Sequence, residues 1–160
     1  MSRRAAIRVI GIGNGWRGDD AVGLFAAQRL RSRLDPTIEV IATEGDGLAL
    51  LDLMEGADQV VLIDEARSGS RPGEIVRLDL STHSRWESVV PCSTHAWSLA
   101  EAIDLARTLG RLPVRVVFYG LVIEASDVGT SLSHSARTGL NELVELVTDE
   151  IAKALCTKHI

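Results

Sequence analysis

The stretch IRVIGIGNGWRGDDAVGLFAAQRL, residues 7–30, decides the fold. Its first six residues are rich in β-branched side chains and close on Gly11 and Gly13, which predicts a buried strand from Ile7 to Ile12. From Asp20 the apolar positions Val22, Phe25, Ala26 and Leu30 recur at helical spacing. Acids open this segment, and Arg29, Arg31 and Arg33 lie near its end, as the helix dipole favours. Pro36 then forbids continuation. A strand, a glycine-rich turn and a helix in that order are the start of a βαβ unit, and the same alternation runs on downstream.

Ile38 to Thr43 reads as a second strand and Leu48 to Glu55 as a short leucine-rich helix. QVVLID, residues 59–64, is apolar on both faces, which predicts a central parallel strand. EIVRLDL from Glu74 alternates strictly and predicts a half-exposed edge or antiparallel strand. Residues 67–73 form a loop and 81–94 look irregular. A helix over 96–109, a central strand from Val114 and a long closing helix capped by Ser133 complete the order. The expectation is one α/β domain spanning residues 1–160: a three-layer sandwich with a mostly parallel twisted sheet of about five strands and helices on both faces.

Composition narrows the functions available. Hydrophobic residues make up 46% and charged residues 24%, the balance of an ordinary globular protein. The net charge of −5 argues against a nucleic-acid partner, which calls for a strongly basic face. No apolar run approaches the roughly 18 residues of a spanning helix, so no membrane role is expected. Arg8 interrupts the apolar stretch after Arg3 and Arg4, which speaks against a secretory signal. Two cysteines, Cys92 and Cys156, fit a reducing compartment, and the cytoplasm is the expected location. The absence of an obvious exposed apolar helix face predicts a monomer.

In doubly wound sheets, ligands sit outside the carboxyl ends of the strands, where the strand order reverses. Asp20 follows the first strand, Asp64 ends the third, and His95 precedes a helix. With a 2-1-3 winding, Asp20 and Asp64 flank one crevice. Two carboxylates and an imidazole suit zinc, nickel or another divalent transition metal, with a position left open for substrate. Blander readings stand beside this one: Asp19 and Asp20 as helix caps, and His95 as a packed core residue. Asp64 is the more telling, since a carboxylate ending a buried strand is costly unless paired. Cys92 and His95 also make a CxxH spacing suited to a thiol nucleophile or a thiolate metal site. His83, His134 and His159 read as surface residues, while Trp16 and Trp97, each close to a proposed ligand, suit a cleft wall or plain packing equally. The glycine loop is a poor nucleotide cradle, because Trp16 stands where a dinucleotide fingerprint needs its third glycine and no GK[ST] follows.

GIGNGWRGDDAVG, LIDEA, STHAWSLAEAI and YGLVIEASDVGTSLS together resemble the hydrogenase maturation proteases, in that family's order and over nearly the whole chain. The resemblance implies removal of a C-terminal extension from the large-subunit precursor of nickel-iron hydrogenase, with Asp20, Asp64 and His95 around a metal. It implies that this metal is nickel supplied by the substrate, with no permanently bound cofactor, and that the precursor is the protein partner. Glu124 in the IEASD loop is a secondary candidate. The chain departs from the family at Ala21, where glycine is common, and at residues 44–46, where EGD replaces GGT and adds charge near the cleft. Two other functions remain compatible with the residues: a non-catalytic nucleotide or small-ligand module, and an unrelated zinc metallopeptidase.

Overall fold

The computed structural model describes residues 6–14, 18–44, 47–66, 71–82, 96–123 and 131–157, without the side chains of 19, 20 and 96–98. Strand β1 spans Ile7–Ile12, followed by a single 3-10 turn, Gly18–Ala21, and helix α1, Val22–Arg33. Next come β2 (Glu39–Thr43), α2 (Gly47–Met54), β3 (Gln59–Ala66) and β4 (Ile75–Asp79). Helix α3 (Ala96–Thr108), β5 (Arg115–Val122) and α4 (His134–Cys156) close the chain.

The strands form one sheet in the order β2-β1-β3-β5-β4. Every pairing is parallel except that of β4 with β5, as the strict alternation of EIVRLDL predicts. The 2-1-3 winding places a reversal of strand order between β1 and β3, with Gly11 in register with Ile63.

The two-residue period of the strands sorts their side chains into two cores. On one face Val61, Ile63, Val117, Tyr119 and Leu121 pack with Val22, Ala26 and Leu30 of α1 and with Leu140, Leu143 and Val147 of α4. On the other, Val60, Leu62, Val116 and Phe118 pack with Leu50 and Met54 of α2 and with Leu99, Ile103 and Ala106 of α3. Three layers result, with helices on both faces of a mostly parallel sheet. Among the described residues no helix is long and apolar enough to cross a membrane.

The opening stretch differs from expectation in two details. The paired acids lie in the 3-10 turn, so the first turn of α1 carries no acidic residue and its N-cap, Ala21, makes no side-chain cap hydrogen bond. Gly11 is a strand residue whose value is closeness. A Cβ there would fall 2.9 Å from the Ala27 Cβ and overlap the Gly23 carbonyl. A Cβ on Gly23 would in turn overlap the Ile12 carbonyl oxygen and lie 2.7 Å from that of Ile63. The tight approach of helix to strand is therefore made by Gly11 and Gly23.

Candidate functional site

Asp64 sits on β3 beside the end of β1 and in register with Gly120 of β5. It is 1% exposed, and its Oδ1 accepts the backbone N–H of Glu65 at 2.7 Å. Residues 60 and 62 of the same strand belong to the core under α2 and α3, so Asp64 is directed to that face. Glu65 is 0% exposed and stands in register with Leu121, on the face covered by α1 and α4. Two consecutive buried carboxylates are costly groups to hold in a protein interior. They are the only buried polar or charged side chains among the described residues. Their place at the carboxyl end of a central strand, next to the reversal point, is where such folds keep their chemistry.

Glu65 is the residue that sequence reading missed. The run QVVLID predicts a strand ending at Asp64, whereas the strand continues through Ala66. The available signal was the apolarity on both faces: an acid one step beyond Asp64 in such a strand is still inside the sheet.

Asp20 is carried by the 3-10 turn, which packs against β3. Gly18, which opens that turn, is buried and takes a positive φ of 28°, and the contact of Gly23 with Ile63 brings the start of α1 over the ends of β1 and β3. The backbone bearing Asp20 thus lies at the end of the sheet that holds Asp64.

His95 and Cys92 lie outside the described residues, as do Glu124, Trp16, His83 and His159. The helix that begins directly after His95 is described, and contacts near its C-terminal end give its direction. Near the C-terminal end of α3, Arg107 donates to the Leu80 carbonyl at 2.9 Å, and Leu80 N–H donates to Val116 near the start of β5 at 2.8 Å. The C-terminal turn of α3 is therefore at the amino end of the sheet. Its first residue, Ala96, begins toward the carboxyl end, on the face to which Asp64 is directed. Trp97 falls in that first turn, and His134, the first residue of α4, is exposed as expected. Among the described residues no three His, Cys, Asp or Glu side chains gather as a metal set.

Several known proteins are similar to this chain. The family model for hydrogenase maturation protease matches residues 26–150. The hydrogenase expression/formation protein HupD of Thiocapsa roseopersicina is 25% identical over 150 residues, covering 92% of this chain and 68% of its own. HupD of Bradyrhizobium diazoefficiens is 27% identical, with 92% and 78% covered. Among solved structures, the hydrogenase maturating endopeptidase HybD from E. coli superposes with a TM-score of 0.76 at 22% identity, over 93% of each chain. The NiFe hydrogenase maturation protease HybD from Thermococcus kodakarensis gives 0.74 at 23% identity, over 91% of this chain and 98% of that one. The superpositions carry the fold; the family follows from the match over residues 26–150, and the protein belongs to the hydrogenase maturation proteases.

Proposed function

We propose that this peptidase removes the C-terminal extension of a nickel-iron hydrogenase large-subunit precursor once nickel has been inserted, and that Asp20, Asp64 and His95 read the substrate's nickel. The observation that carries this is Asp64: a carboxylate 1% exposed beside the β1/β3 reversal, with the turn bearing Asp20 packed against the same strand. A buried carboxylate gains most when it meets a cation, and two carboxylates with one imidazole leave coordination positions for the substrate's own ligands. Nickel docked there would hold the scissile peptide against the sheet's carboxyl end. Hydrolysis then adds water across that bond, leaving a new carboxylate on the large subunit and a free amine on the released peptide.

The nickel belongs to the substrate in this reading, so the purified protein carries no stoichiometric metal. It acts in the cytoplasm as a monomer that meets the precursor transiently.

The test is conversion of nickel-loaded precursor by Asp20→Ala, Asp64→Ala and His95→Ala, followed by gel shift and mass spectrometry of the released peptide. All three variants are expected to keep the wild-type circular dichroism spectrum and lose conversion. Normal conversion by the three would refute the assignment. One equivalent of zinc in the protein as purified would point instead to a metallopeptidase with its own metal.

A further inference from the structure

The sheet has one parallel edge, and its exposed backbone groups are identifiable. Gly13 N–H donates to the Thr43 carbonyl at 3.1 Å, so Thr43 turns its backbone polar groups toward β1. In a strand, successive residues direct those groups to opposite sides, so Ala42 and Val40 turn theirs outward. A second contact agrees: the outward carbonyl of Val40 accepts Arg31 Nε at 3.2 Å. Edges are usually blunted by charge or cover. Here Arg31 blunts the half nearer the amino end, while Ala42, nearer the carboxyl end and the candidate site, is exposed. Just beyond the strand, Leu48 in the first turn of α2 is 67% exposed.

We propose that the outer edge of β2 binds the precursor's extension as an added antiparallel strand, with its backbone paired to Ala42. This rests on the peptidase reading above. A row of outward N–H and C=O groups is matched by another extended backbone, whatever its side chains. The direction follows from the site: a peptide cut at the carboxyl end of β1 and β3 must run back toward the amino ends to lie along β2. The span from the β1/β3 crevice to a strand added outside β2 is about 12 Å, or about four extended residues.

Ala42→Pro isolates the edge. It deletes an outward N–H and leaves the ladder to β1 intact, a position where strands tolerate proline. The expected result is wild-type melting, unchanged kcat and a KM for nickel-loaded precursor raised about tenfold, the loss of one backbone hydrogen bond. In the unmodified protein, the Ala42 amide is expected to gain hydrogen-exchange protection when a synthetic peptide spanning the cut site is added. A folded Ala42→Pro enzyme with wild-type KM overturns the inference, as does an Ala42 amide whose exchange is unchanged at saturating peptide. Failure of the wild-type protein itself to convert precursor sinks the peptidase reading first and this inference with it.

Discussion

Substituting Gly23→Ala should destabilise the protein although alanine is the better helix former. In an exposed helix the change would gain about 1 kcal/mol. Here the new Cβ overlaps the Ile12 carbonyl oxygen and falls 2.7 Å from the oxygen of Ile63, both backbone atoms of central strands that cannot swing aside. Helix α1 must withdraw by about 1 Å, and a gap of that size forfeits about a quarter to a half of each dispersion contact it opens. Val22, Ala26 and Leu30 are all 0% exposed and lie on that interface. Overpacking of this kind costs about 3–4 kcal/mol where backbone must move, so the net loss is about 2–3 kcal/mol after the propensity gain. For a domain of this size that lowers the melting temperature by about 5–10 °C. The same withdrawal carries the 3-10 turn away from β3, so precursor conversion should fall further than stability alone explains. Gly11→Ala meets the same interface from the other side, so the double variant should lose less than the sum of the two. Thermal melts and urea titrations of the three variants decide the matter. A Gly23→Ala protein that melts at or above the wild-type temperature would refute the reasoning.

Three further outcomes follow from polar contacts away from the site. Ser133→Ala removes the hydroxyl that accepts Ala136 N–H at 3.2 Å at the start of α4, and should cost about 1 kcal/mol in urea unfolding. Glu150 accepts from Arg77, Arg115 and Tyr119, joining α4 to β4 and β5. Burial alone would raise its pKa, but the hydrogen bonds from Arg77 and Tyr119 prevail and hold it below the ordinary carboxylate value. A carboxylate lowered in the folded state contributes stability that is present above the unfolded pKa and lost as pH falls through the folded one. Glu150→Gln should therefore flatten the loss of stability under acid conditions, seen as melting temperature against pH. The Tyr119 phenol, pushed up to about 12 by burial and by Glu150, loses its contribution on the alkaline side as pH rises from about 10 toward that value. Spectrophotometric titration of the folded protein checks this against the Tyr119→Phe variant.

Much of the fold is legible because strand and helix periodicities are local. The two-faced apolarity of QVVLID marks a central strand, and the alternation of EIVRLDL marks the antiparallel edge. Boundaries misread by the same local rules have tertiary causes. Asp19 and Asp20 look like the acidic start of a helix, yet they sit one turn earlier in a 3-10 segment that packs against β3. β3 seemed to end at its first acid, although burial by helices on both faces carries it on through Glu65 and Ala66.

By itself the sequence determined the order and kind of the elements and singled out Asp20, Asp64 and His95, since these depend on residue type, spacing and a family pattern. Tertiary structure alone decided what lies beside what. The 2-1-3 strand order sets Asp64 next to the end of β1, and strand pleating sends Asp64 and Glu65 to opposite cores. Packing of Gly11 on Gly23 draws the turn with Asp20 over β3, and the register of β2 with β1 turns the backbone polar groups of Ala42 outward. Such neighbours are set by contacts between residues distant in the chain, and no local periodicity encodes them.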